Sequence, residues 1–211
     1  MKLNRINSLP PILREYSLVQ NMAKGQRLFR KGDRADYLYL IQQGRFQEIS
    51  YPDDKTMTVL QILNQGDTLG EISLLFDNYS STAIAKVDSQ VVAYPKAILL
   101  ETLNQYPLLM VEIITILCQK IYELQMRLEW HNISLADRRV LEYLNYQLQK
   151  ITRNNQEQSL TSTVILDAPL QEIAAELGFV PGTLSRALAK LEAEQKISRN
   201  KNQITLHDDV A

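Results

Sequence analysis

Cysteine is nearly absent from this chain: Cys118 stands alone among 211 residues. One thiol cannot build a disulfide framework within the chain, and it cannot hold an iron–sulfur cluster that needs several thiolates from one subunit. Histidine is scarce too, with only His131 and His207. Long apolar runs are missing. No stretch of about eighteen apolar residues occurs, so no membrane span is expected. The N-terminal MKLNRINSLPPILREY lacks the continuous apolar segment of a signal peptide, and a cytoplasmic location is the simplest expectation. Neither sign of charge dominates: 23 Lys and Arg against 24 Asp and Glu leave a net charge of −1. No overall field therefore draws the molecule to nucleic acid. A paired histidine–carboxylate cluster, a nucleophile motif and a phosphate-binding loop are all lacking. The chain is expected to be no enzyme and to hold no metal.

What is present suits one large or two small domains, with 45% hydrophobic residues for real cores. The most informative stretch is Leu170 to Gln195, LQEIAAELGFVPGTLSRALAKLEAEQ. Leu170, Ile173, Ala174 and Leu177 fall at helical spacing. Gly178 follows, where a left-handed residue ends a helix. Pro181 suits the first turn of a second helix, where its missing N–H would be unpaired anyway. That helix turns Leu184, Ala187, Leu188 and Leu191 inward. Its other face carries Gly182, Ser185, Arg186 and Ala189, small residues around one cation. Such a face can approach base edges in a major groove. This is a helix-turn-helix reading; a packed helical hairpin in a core is the plainer alternative. From Pro181 to Gln203 the cations Arg186, Lys190, Lys196, Arg199 and Lys201 outnumber Glu192 and Glu194. A locally basic face can supply phosphate contacts on a neutral protein.

Along the chain, residues 1–20 read as a short helical lead-in interrupted by Pro10 and Pro11. Short strands between turns follow: 27–29, 37–41, 45–50, 56–63, 82–87 and 90–95. Their spacing, with Gly-Asp turns, suggests a small β-barrel or jelly roll. Residues 97–105 read as a short helix, and Pro107 opens a long one. There Met110, Ile114, Leu117, Ile121, Leu124 and Leu128 alternate spacings of four and three, a coiled-coil seam that implies a homodimer. Leu109, Ile113 and Ile116 form a second stripe suited to packing on the chain's own barrel. A single buried helix would need no partner. Ser134 with Asp137 resembles a capping box ahead of a helix whose one face is Val140, Leu141, Leu144, Leu148 and Ile151. Residues 152–159 read as a polar loop and 163–166 as a strand. Ile197 to His207 reads as two strands around Asn200-Lys201-Asn202, a β-wing. The expected fold is α+β: an N-terminal jelly-roll effector domain (1–106), a dimerisation helix (107–133) and a winged helix-turn-helix (134–211).

The pattern from Gly25 to Gly44, the Gly-Asp-x-x-Gly-Glu stretch from Gly66 to Glu71 and the later helix-turn-helix together resemble the CRP/FNR family of bacterial transcription regulators. The match runs over nearly the whole chain in order. It implies a DNA-binding homodimer that works with RNA polymerase. Cyclic-nucleotide-binding members place a glutamate on the ribose and an Arg-Ser pair on the cyclic phosphate. Here Gly70 and Glu71 remain, but the Arg-Ser positions fall on Ser81 and Thr82. Residues 71–85 contain no Lys or Arg. A partly buried phosphate without a cation forgoes a charge-assisted bond, about 1.5–3 kcal/mol, and Glu71 would repel it. The helix position that reads adenine falls at Leu124 to Arg127, where no Thr or Ser occurs. A cyclic nucleotide is therefore not the expected effector. The candidate pocket is Gly70, Glu71, Ile72, Ser81, Thr82, Leu124 and Gln125, filled by an uncharged ligand or by Leu74, Leu75 and Phe76.

A haem would need axial ligands among His131, His207 and Cys118. Cys118 reads as a small core residue and His131 as a polar end to the coiled coil. FNR-like members carry Glu-x-x-Ser-Arg on the recognition helix. Ser185 and Arg186 match it, and Gly182 replaces the glutamate. Arg186 could bond guanine O6 and N7, and Ser185 a base edge or thymine methyl. Thr183, Lys190, Arg199 and Lys201 are cast as phosphate contacts; for the lysines, a solvated face is the plainer reading. Two alternatives stay open: a haem or small-molecule sensor acting through protein contacts, and a cAMP-responsive regulator.

Overall fold

The computed structural model describes residues 9–51, 57–154, 162–166 and 168–207. The chain divides into two compact units, Met1–Ile121 and Tyr122–Ala211. The boundary falls within the long helix α3 (Pro107–Asn132).

The first unit begins with a one-turn helix α1 (Pro11–Glu15) and strand β1 (Leu18–Met22). The expected helical lead-in thus gives way to a strand. Only Met22 of β1 is buried, so apolar spacing does not mark it; its antiparallel pairing with β8 does. Strands β2 (Arg27–Phe29), β3 (Tyr37–Gln43), β4 (Arg45–Ser50), β5 (Thr58–Asn64), β6 (Thr68–Leu69), β7 (Thr82–Ala85) and β8 (Ser89–Pro95) follow. They form two four-stranded antiparallel sheets, ordered β1-β8-β3-β6 and β2-β7-β4-β5, a jelly-roll sandwich. Side chains alternate along β3. Tyr39 and Ile41 enter the sandwich with Phe29, Phe46, Leu63, Leu69 and Tyr79. Leu38 and Leu40 face outward with Val92 and Tyr94, where α1, α2 (Lys96–Gln105) and α3 cover them through Leu13, Leu99, Leu103, Leu109 and Ile113. A strand buried on both faces reads as a continuous apolar run.

In α3 the stripe of Leu109, Ile113 and Ile116 packs on its own unit as expected. Met110, Ile114, Ile121, Leu124 and Leu128 stay exposed, Leu128 by 67%. Leu117 differs from the rest of the seam, being partly buried against the same cluster. Cys118 is exposed, not a core residue; one position past Leu117, it has rotated away from the packed stripe.

The second unit holds the end of α3, then α4 (Ala136–Asn154), β9 (Thr163–Ile165), α5 (Leu170–Glu176), α6 (Pro181–Ala193), β10 (Ile197–Asn200) and β11 (Gln203–Leu206). Residues 152–154, expected in a loop, belong to α4; residues 155–161 lie outside the described ones. The helix begins at Ala136, and the Leu135 carbonyl accepts the Arg139 N–H at 3.0 Å. Ser134 therefore does not cap it, and the Asp137 carboxylate is engaged elsewhere. Trp130, Val140, Leu144, Ile173, Leu177, Leu184, Leu188 and Leu191 build the core. The wing β10-β11-β9 closes it.

Candidate functional site

Two places in the fold gather the residues marked by the sequence. The first is the turn and second helix of the helix-turn-helix. Gly178 has φ +69°, the left-handed conformation that suits glycine. The Phe179 N–H reaches the Ala174 carbonyl at 2.7 Å, and the Gly178 N–H reaches Ala175 at 3.2 Å. This is a Schellman termination. Arg139, from α4, locks the turn. It donates to the Leu177 carbonyl at 2.9 Å and to the Ile133 carbonyl at 2.6 and 3.0 Å, and it lies over the Phe179 ring at 4.7 Å. Carbonyls at the ends of α3 and α5, which a helix leaves unpaired, thus share one guanidinium.

Helix α6 then exposes Gly182, Ser185, Arg186, Ala189 and Lys190, with Thr183 half-buried. The Arg186 guanidinium folds along the first turn, donating from Nε to the Gly182 carbonyl at 3.1 Å and from Nη2 to Thr183 Oγ1 at 3.3 Å. Its remaining N–H groups are left for a partner outside the helix. Thr183 therefore orients Arg186, a role its spacing did not reveal. Lys190 pairs with Asp137 at 2.6 Å. The hydrogen bond from Lys190 holds the Asp137 carboxyl below its ordinary range, and Asp137 raises Lys190. Arg199 stands 3.9 Å from Glu192. Lys201 sits at the tip of the wing with φ +55°, exposed.

The second place lies in the sandwich. Gly70, at φ +84°, starts a one-turn 3-10 helix over Glu71–Leu74. The Glu71 carboxylate, 7% exposed, accepts the Thr68 hydroxyl and pairs with Lys120 of α3 at 2.6 Å. Lys120 also donates to the Thr68 carbonyl at 2.9 Å. Ser81, where cyclic-nucleotide-binding members place arginine, is buried and donates to the Glu48 carboxylate, which also accepts from Gln61. Thr82 Oγ1 accepts the Lys31 N–H at 3.0 Å. A cyclic phosphate at this position would meet a carboxylate instead of a guanidinium, so these residues do not fit that group.

Ile72 is exposed, and Leu75 and Phe76 are 86% and 59% exposed. The expected filling of the pocket by Leu75 and Phe76 is thus overturned; of the three, Leu74 alone packs inward, against the cluster under α3. Leu124 and Gln125 belong to the second unit and are exposed. Of the haem candidates, Cys118 is exposed on α3 in the first unit, and His131 and His207 belong to the second. Among the described residues no group of three or more His, Cys, Asp or Glu could hold a metal ion, and no helix is long and apolar enough to cross a membrane.

Residues 19–106 match the family model of the cyclic nucleotide-binding domain, and residues 138–209 that of the Crp-like helix-turn-helix domain. Among solved structures the chain is similar to a CooA mutant from Carboxydothermus hydrogenoformans, with TM-score 0.78 and 19% identity over 98% of this chain and 91% of that one. It is also similar to FixK2 from Bradyrhizobium japonicum, with TM-score 0.70 and 16% identity over 91% and 93%. At such identities the likeness shows the fold. The curated lysophospholipase nte1 of Aspergillus oryzae is 20% identical over 104 residues, 49% of this chain, and the chain spans 7% of that protein's length. With a cyclic nucleotide-binding domain ahead of a Crp-like helix-turn-helix domain, in the fold of such regulators, the chain belongs to the CRP/FNR family of DNA-binding transcription regulators.

Proposed function

We propose that this regulator is a homodimer that reads a two-fold symmetric operator through α6 without a cyclic nucleotide. The carrying observation is the Glu71–Lys120 ion pair at 2.6 Å. The carboxylate that would take a ribose hydroxyl is satisfied by a cation from the chain's own α3. The Ser81–Glu48 hydrogen bond extends this self-satisfaction to the phosphate position. Regulation then rests on another ligand or on the amount of protein.

Dimerisation is supported by the exposed stripe Met110, Ile114, Ile121, Leu124 and Leu128. It is at coiled-coil spacing and too apolar to face water over five turns. Arg186 and Ser185 read bases, Thr183 holds Arg186, Arg199 and Lys201 contact phosphates, and Lys190 stays paired with Asp137. RNA polymerase is the partner for the output, in the cytoplasm.

The test pairs two measurements. Arg186→Ala should lose about 1–3 kcal/mol of discrimination at one base pair and sediment as an unchanged dimer. Calorimetric titration with cAMP should give no binding heat. Unaltered site preference in the variant would favour a sensor acting through protein contacts. Saturable cAMP binding would favour the cAMP-responsive reading.

A further inference from the structure

Val180 is the N-cap of α6, in extended conformation, and it is 66% exposed. N-caps favour Ser, Thr, Asp and Asn, because a side-chain oxygen can accept a free N–H of the first turn. Valine cannot, and α6 has no side-chain cap. Its neighbour Phe179 packs against the core, whereas Val180 is not among the residues that do. The side chain therefore serves neither helix termination nor packing.

The next two positions are also stripped of polar reach. Pro181 lacks an N–H, and Gly182 lacks a side chain although a Cβ there would meet nothing within 4 Å. Neither a left-handed backbone nor crowding requires glycine at 182. Val180 and Pro181 thus put apolar side chains at the start of α6, ahead of the guanidinium that Gly182 and Thr183 hold. In a helix-turn-helix the N-terminal residues of the second helix meet base edges. The apolar feature on a major-groove edge is the thymine 5-methyl.

We infer that Val180 is a specificity-determining residue that reads a thymine methyl in the half-site, beside the base pairs met by Arg186. This rests on the DNA reading of α6 proposed above.

The test uses the full-length protein and the operator recovered by in vitro selection. Each thymine is replaced in turn by deoxyuridine, which removes only the methyl group, and affinities are measured at fixed salt for the native protein and for Val180→Ala. One symmetry-related thymine should be sensitive, losing about fourfold per half-site, the worth of one buried methyl. Val180→Ala should lose a similar factor on the thymine operator and be indifferent to uracil there. If the native protein tolerates uracil everywhere, or if the variant keeps its full sensitivity, the assignment to Val180 is wrong while the DNA reading stands. If selection enriches no sequence at all, the DNA reading fails and this inference with it.

Discussion

Lys190 and Asp137 show how a surface cation can be held out of use. Their 2.6 Å pair leaves Lys190 bound within the protein. Asp137→Ala should release it for a phosphate. The slope of log affinity against log salt should then steepen by about 0.9 per half-site, measured by fluorescence anisotropy over a salt series. An unchanged slope would mean that Lys190 already leaves Asp137 when DNA binds. The pair also has a pH signature. Because the Asp137 value is lowered, its contribution is present above the ordinary carboxylate range and is lost as pH falls through the lowered value. Because Lys190 is raised, its contribution is present below the ordinary lysine range and is lost only as pH rises through the raised value. The melting-temperature gap between the native protein and Asp137→Ala should be flat around neutrality and shrink in acid. In the sandwich, Lys120→Met should destabilise by about 3 kcal/mol, since it leaves Glu71 buried with only a hydroxyl for partner. Adding Glu71→Gln should recover part of that loss in urea melts. The face of the second helix marks Ser185 and Arg186, and the family resemblance points to Glu71, Ser81 and Thr82. Neither gives a hint of Lys120 or Glu48, whose partners lie 49 and 33 positions away in the chain. In β4 the polar Gln47 and Glu48 are both buried beside a register shift, which only the structure reveals.

Helix α3 and the helix-turn-helix carry most of what periodicity can convey. The inner faces of α5 and α6 and the stripe of Leu109 and Ile113 follow the 3.6-residue repeat, and the turn glycines fall where the backbone needs them. Elements defined by pairing, not by their own pattern, were harder to see. β1 is an edge strand with one buried residue, and β6 has only two residues. The start of α4 differs from the capping-box expectation because Asp137 accepts from Lys190 instead of closing a box with Ser134. Nothing in the sequence marks Arg139, because its acceptors are backbone carbonyls, which no side-chain motif announces. Its removal should nonetheless matter. Arg139→Ala frees the Leu177 and Ile133 carbonyls and should cost the second unit about 2–3 kcal/mol. Arg139→Lys should rescue little, because an ammonium cannot fork to both. Chemical denaturation followed by the Trp130 fluorescence would read this, as Trp130 is buried in that unit's core.

As a whole molecule the regulator is proposed to work only in pairs. Ile121→Glu combined with Leu128→Glu should give monomers in sedimentation and abolish operator binding, because one half-site contact is too weak alone. Leu117 suits this test less well, since it is partly buried within its own unit. Intact dimers from the double variant would move the interface off α3. The central claim is that the purified protein, with no ligand added, recognises DNA as a two-fold dimer through α6. The most direct measurement is an in vitro selection from random duplexes at fixed salt, with no nucleotide present. The account predicts enrichment of an inverted repeat whose half-site centres lie about one helical turn, 10–10.5 bp, apart. Absence of enrichment without ligand, followed by enrichment on adding cAMP, would contradict it.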